Sequence, residues 1–240
     1  MRIYPAIDIL QGKAVRLRQG RAEDVTVYGK PMEMAQRWFE AGAEWLHIVD
    51  LEGAFEGTPR NHHLVAEIAR SFPRLKIELG GGIRQMATLG DLFEAGIQRA
   101  VLGTSAVNDA AFVKAALDGY SERIAIGIDA RDGVAKVSGW VEDSKIGAVE
   151  LAQRLEGMGA RLVIYTDISR DGVLEGPNIP AMRQMIQSTG LNVIASGGVS
   201  RMDDLRNLAA LQEPRLDGVI IGKALYEGVI GIEEALAIAS

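Results

Sequence analysis

The chain repeats itself at half its length, and this restricts its architecture more than any other feature. Ala41-Gly-Ala-Glu-Trp-Leu-His-Ile-Val-Asp50 parallels Met158-Gly-Ala-Arg-Leu-Val-Ile-Tyr-Thr-Asp167, a shift of 117 residues from Asp50 to Asp167. Gly81-Gly82-Ile83 returns as Gly197-Gly198-Val199, Gly103-Thr104 as Gly222-Lys223, and Asp8 as Asp129, with shifts of 116, 119 and 121. Four pairs in the same order at nearly one shift imply two fused halves. Such a molecule carries two similar sites on opposite sides of one mouth.

Each half contains four short apolar runs. In the whole chain they are Ile3–Ile7, Trp45–Val49, Leu75–Leu79, Ala100–Leu102, Ile124–Ile128, Leu162–Tyr165, Leu191–Ala195 and Gly218–Ile221. They are continuous rather than alternating, which suits strands covered on both faces. Amphipathic stretches separate them: Met32–Ala41, Met86–Ala95, Asp109–Leu117, Ile146–Met158, Pro180–Ser188, Met202–Leu211 and Ile232–Ala239, with a weaker one over His62–Ser71. Pro31 and Gly42 bracket the first of these as start and stop signals. Eight strands alternating with eight helices is the pattern of a parallel α/β sheet. An open, doubly wound sheet is the alternative. Eight repeats with no segment left over favour closure into a (β/α)8 TIM barrel, a single domain spanning 1–240, with a two-fold half-barrel repeat. The 48% apolar content supplies one large core.

Barrels of this kind place their active sites at the C-terminal ends of the strands. The polar residues just beyond the apolar runs are therefore the candidates. Gly81 and Gly82 with Gly103 and Thr104 form one set, and Gly197 and Gly198 with Gly222 and Lys223 form its copy. Glycine lets backbone N–H groups approach a phosphate that a Cβ would hold away. Two duplicated sets imply two phosphate sites; the plainer reading is that each glycine only makes a tight turn. Asp8 and Asp129 end the first and fifth strands and should face each other, one as base and one as acid if their surroundings separate them. A lone Asp at a strand end more often caps a helix, and Asp50 and Asp167 are read in that structural sense. Asp171, in Ser169-Arg170-Asp171-Gly172, is a second candidate acid on a loop that could reach the centre.

Three long loops are expected on the same side: 11–30 with Arg16 and Arg18, 52–60, and 131–145 with Trp140. They are suited to excluding water from a reactive intermediate. Trp140 is either a stacking surface for a planar ligand or a rim anchor.

A net charge of −6 argues against a nucleic-acid partner, and zero cysteines exclude disulfides, thiolate metal sites and Cys nucleophiles. His47, His62 and His63 lack metal-ligand spacing, so no metal is expected. No nucleotide fingerprint follows a strand, so no cofactor is expected. No signal-like or membrane-spanning run is present; a cytoplasmic monomer acting on a small molecule is the expectation.

The segments Pro5-Ala-Ile-Asp8-Ile-Leu-Gln-Gly-Lys-Ala-Val-Arg16, His47-Ile-Val-Asp50-Leu-Glu-Gly-Ala-Phe55, Gly80-Gly-Gly-Ile-Arg84, Thr166-Asp-Ile-Ser-Arg-Asp171-Gly172 and Ala195-Ser-Gly-Gly198-Val199 resemble the phosphoribosylformimino-aminoimidazole-carboxamide ribotide isomerases of histidine biosynthesis, essentially end to end. The resemblance implies an Amadori rearrangement of an aminoaldose to an aminoketose on a substrate with two phosphoribosyl groups. It implies Asp8 as the general base, Asp129 as the general acid with Asp171 competing, and Thr166 as a supporting hydroxyl. Arg16 and Arg84 resemble the family's substrate-side cations, and Gly172 falls among its binding residues. The related cyclase subunit of imidazole-glycerol-phosphate synthase has a Cys before its first aspartate and a Lys in the next loop, where this chain has Ile7 and Arg16. Bifunctional relatives that also isomerise phosphoribosyl anthranilate are expected to carry an Arg two residues before the loop Trp, where this chain has Ser138. A non-catalytic phosphosugar-binding barrel would keep the glycine turns and lose the opposed acids.

Overall fold

The computed structural model describes residues 1–18, 21–137, 142–171 and 176–239. Eight parallel strands, numbered in chain order, form a closed ring: β1 (Arg2–Leu10), β2 (Trp45–Asp50), β3 (Lys76–Gly80), β4 (Arg99–Leu102), β5 (Ile124–Arg131), β6 (Leu162–Asp167), β7 (Asn192–Ser196) and β8 (Leu216–Ile221). Each strand pairs with its sequence neighbours, and β1 pairs with β8 to close the ring. The expected (β/α)8 barrel is therefore the observed one.

The continuous apolar runs have a direct cause. Alternate side chains face two different apolar spaces. Ile3, Ile7, Leu46, Ile48, Ile77 and Leu79 point outward, where the surrounding helices bury them. Tyr4, Ala6, Trp45, Val101, Ala125, Ile164, Ile194 and Ile220 point inward and fill the lumen. Each fully buried aliphatic side chain stabilises the barrel by about 1.5–3 kcal/mol.

The outer helices follow the amphipathic stretches to within a few residues, as in Pro31–Glu40, Met86–Glu94, Ala148–Gly157 and Met202–Ala209. Side chains cap several of them. Asp109 accepts from the Phe112 N–H at 2.9 Å, and Asn178 accepts from the Ala181 N–H at 3.1 Å. Such caps are typically worth about 1 kcal/mol.

The long loops differ from the expectation. Within 11–30, strands Lys13–Arg18 and Arg21–Gly29 form an antiparallel hairpin that continues from β1, with Asp8 opposite Val15. Within 131–145, strands Val134–Val137 and Glu142–Gly147 continue from β5 in the same way. Both hairpins begin at a tight turn with positive φ at two successive residues, Gln11 (50°) and Gly12 (70°), then Asp132 (52°) and Gly133 (77°). That geometry matches the twist of antiparallel strands. Within 52–60, residues Leu51–Glu56 are helical because the Asp50 carboxylate accepts from the Gly53 N–H at 3.0 Å.

A polar plug closes the lumen beneath the site. Glu78, with no exposed surface, accepts from Arg99 at 2.8 Å and bonds His47 Nδ1 at 2.7 Å. Arg99 lies 4.2 Å from the Trp45 ring centroid, and the Tyr4 hydroxyl donates to Asp217 at 2.6 Å. Burial and the Asp217 charge push the Tyr4 phenol well above its usual range.

Candidate active site

The C-terminal strand ends enclose one cavity of about 280 Å³. Asp8, Asp129, Asp171 and Thr166 all line it. So do Arg16, Gly81, Gly82, Arg84, Gly103, Thr104, Gly197, Gly198, Gly222 and Lys223. Asp8 and Asp129 reach it from β1 and β5, four strands apart in a ring of eight, so they approach from opposite sides. Thr166 on β6 is in register with Asp129 on one side and Ser196 on the other, and is only 7% exposed. Trp140 and Gly172 lie outside the described residues.

The hairpin after β1 determines the surroundings of Asp8. The hairpin brings Arg16, the residue after the Val15 that pairs with Asp8, back alongside β1. One nitrogen donates to Asp8 Oδ2 at 2.8 Å and another to the Ala6 carbonyl at 2.8 Å. The Arg16 Nε is buried with no hydrogen-bond partner. Asp8, Tyr226 and Asp171 hold the Arg16 pKa above its usual value against the opposing effect of burial. Arg16 thus lines the cavity and is at the same time tied to Asp8.

Asp171 is the site's anomalous acid. Burial raises its pKa to about 6; the nearby charges of Asp8 and Asp129 push the same way, and Arg16 opposes them. A carboxyl among like charges gives up its proton reluctantly. The site therefore holds one acid paired with a cation and another that gives up its proton less readily than an ordinary carboxyl.

The glycine turns are of two kinds. Gly81 (φ 110°) and Gly197 (φ 89°) occupy backbone that favours glycine, and a Cβ at either would collide with the carbonyl of Asp50 or Asp167. Packing alone explains those two. Gly103 is different: its φ is ordinary, and a Cβ there would meet nothing within 4 Å. Neither conformation nor packing requires glycine at 103, whereas a ligand in the cavity it lines would.

Asp50 and Asp167 have the structural role expected of them. Asp50 accepts from Gly53 N, Arg60 N, Asn61 N and the Asn61 side chain. Asp167 accepts from Ser169 and the Asn178 side chain. Asn61 and Asn178 are themselves 117 residues apart, a further signal of the half-length repeat.

Three further residues lie in or beside the cavity. His47, inside the β2 apolar run, lines the cavity while its Nδ1 is held by Glu78. Phe55 also lines the cavity and is 51% exposed. Tyr226 bonds the Ala6 carbonyl beside Asp8. Among the described residues no cluster of three or more His, Cys, Asp or Glu could hold a metal ion, and no helix is long and apolar enough to cross a membrane.

A family model described as "Histidine biosynthesis protein" matches residues 2–231. A relative from Brevibacillus brevis is 48% identical over 235 residues, covering 98% of this chain and 94% of its own. One from Thermoanaerobacter pseudethanolicus is 46% identical over 240 residues, covering 100% of both chains. One from Desulfitobacterium hafniense is 46% identical over 241 residues, covering 99% of this chain and 96% of its own. All three are named 1-(5-phosphoribosyl)-5-((5-phosphoribosylamino)methylideneamino) imidazole-4-carboxamide isomerase.

Proposed function

The chain belongs to the histidine biosynthesis protein family, and on that premise we propose that it is the isomerase its relatives are named for, converting a bis-phosphoribosyl aminoaldose to the aminoketose. The observation that carries this reading is the meeting of Asp8, Asp129 and Asp171 in one cavity flanked by both glycine sets.

The chemistry follows from the charges. Asp171 keeps its proton up to about pH 6 in the free protein and gives it to the ring oxygen of the aminoaldose, so the ring opens to a protonated imine. The Asp8 carboxylate, held beside Arg16, removes the proton from sugar C2. The electron pair of that C–H bond becomes the carbon–carbon double bond of an enaminol, and the imine nitrogen regains its lone pair. Tautomerisation then places the carbonyl at C2 and a proton at C1. No atom is gained or lost. Asp129, whose charge favours the protonated form of Asp171, serves as the electrostatic partner of the acid. This reading favours Asp171 over Asp129 as the acid. Thr166 supports the centre between them.

The two ends of the substrate are anionic, and the cavity offers two duplicated grips. Gly103 and Thr104 with Arg84 suit one phosphate; Gly197 and Gly198 with Lys223 suit the other. A substrate held at both grips would lie with its reacting sugar over the carboxylates.

Turnover of the bis-phosphoribosyl aminoaldose by wild type, Asp8→Asn, Asp129→Asn and Asp171→Asn tests the reading. Wild-type turnover with loss in Asp8→Asn and Asp171→Asn is expected. A wild type that binds the substrate without converting it would leave only a phosphosugar-binding barrel.

A further inference from the structure

The phosphate turn after β8 and the pair Arg16–Asp8 are physically connected, and one unassigned residue makes the connection. Tyr226 ends the single helical turn Lys223–Tyr226 that follows Gly222. Its hydroxyl donates to the Ala6 carbonyl at 3.1 Å. The Arg16 guanidinium donates to the same oxygen at 2.8 Å and lies 5.4 Å from the Tyr226 ring centroid. The ring itself is fixed from two sides. Tyr28 packs on it with centroids 4.5 Å apart, and Trp38 meets it edge-on at 5.7 Å. A second contact runs in parallel: a Cβ on Gly222 would come within 2.5 Å of Arg16 Cζ, so the backbone of the turn already touches the guanidinium.

We propose that Tyr226 is a positioning residue that fixes Arg16 against Asp8 and transmits to that pair the seating of a substrate phosphate on the Gly222–Lys223 turn. The inference deepens the isomerase reading and rests on it. Tyr226 touches no reacting atom. It shares an acceptor with Arg16, presents a ring face to the cation, and belongs to the turn that grips one end of the substrate. A shift of that turn moves Tyr226, and Tyr226 cannot move without changing its ring contact with the guanidinium and its hydrogen bond to the carbonyl that Arg16 also uses. Cation–ring contacts of this kind are worth more when desolvated, as Arg16 is. The aromatic partners Tyr28 and Trp38 give the arrangement stiffness, since the Tyr226 ring cannot rotate away without displacing one of them.

Steady-state kinetics of wild type, Tyr226→Phe, Arg16→Gln and the double variant test this. Tyr226→Phe, which keeps the ring and loses the hydroxyl, should lower kcat about ten-fold with KM changed less than about three-fold. In the Arg16→Gln background the same substitution should change kcat by less than about two-fold, because Tyr226 acts through Arg16. Wild-type kcat in Tyr226→Phe, or losses that multiply in the double variant, would overturn the proposal. A merely structural tyrosine would give multiplying losses. If the wild type itself shows no turnover, the isomerase reading fails separately, and a crystal structure of Tyr226→Leu still decides the positioning claim. An opened Arg16–Asp8 contact upholds it; an unchanged contact ends it.

Discussion

Arg16 binds Asp8 through one guanidinium nitrogen while another, also at 2.8 Å, binds the backbone carbonyl two residues earlier on the same strand. The cation is therefore fastened to β1 itself, and the carboxylate it faces has a fixed direction. Replacing Asp8 by Asn keeps the shape and removes the base. Turnover should fall by about 10²–10⁴-fold, the usual contribution of one positioned proton acceptor. Substrate affinity, measured by calorimetry, should change little, because the glycine grips are untouched.

The raised pKa of Asp171 predicts both a rate profile and a stability profile. The acid must carry its proton, so kcat/KM should decline on the alkaline side through about pH 6. Arg16 is the neighbour that lowers this pKa, so Arg16→Gln should move that decline to higher pH, alongside its loss of rate. For stability, the folded value lies above the ordinary 3.8. Folding costs nothing from this group below about pH 4; the cost develops as pH rises and is complete above about 6. Asp171→Asn should thus be more stable than wild type near pH 8, by roughly 2 kcal/mol, and equal to it near pH 3.5. Thermal melts at the two pH values check this.

How much of this was legible in the sequence differs from residue to residue. The eight strands were readable because each is apolar on both faces, and such runs stand out regardless of what they pack against. The half-length repeat pointed to Asp8, Asp129 and both glycine sets because a duplicated backbone needs the same residue type twice. Asp132-Gly133 flanked by apolar residues was a readable hairpin signal, and Gln11-Gly12 sits at the matching place after Asp8. Charged residues scattered through those hairpins interrupt the apolar alternation that marks a strand. The partnership of Arg16 with Asp8 was not legible, since it depends on the hairpin folding the chain back alongside β1. Nor was the plug of His47, Glu78 and Arg99: three polar side chains on separate strands look like interruptions until the ring brings them together.

That plug gives a stability prediction independent of catalysis. Glu78 is fully buried and compensates Arg99, whose guanidinium is otherwise surrounded by Trp45 and Tyr4. Glu78→Ala leaves a buried cation without its counter-charge and should cost about 3–5 kcal/mol. Glu78→Leu with Arg99→Leu removes both charges together and should recover much of that loss. Urea titrations of the three proteins measure it, and a Glu78→Ala variant as stable as wild type would mean that water or rearrangement satisfies Arg99.

The two kinds of glycine make the sharpest separation between fold and function. At Gly197 a Cβ would come within 2.7 Å of the Asp167 carbonyl on backbone that already disfavours side chains, so Gly197→Ala should destabilise the protein and reduce activity together. At Gly103 nothing lies within 4 Å and φ is ordinary, so Gly103→Ala should fold as well as wild type or be more stable by about 0.4–1 kcal/mol. Its added methyl enters the cavity where a phosphate would approach the backbone. KM should therefore rise about ten-fold or more while the melting temperature holds or increases. A Gly103→Ala variant with unchanged KM would remove Gly103 from the phosphate grip and leave the reading to Thr104 and Arg84, whereas equal destabilisation at 103 and 197 would mean that both glycines serve the turn alone.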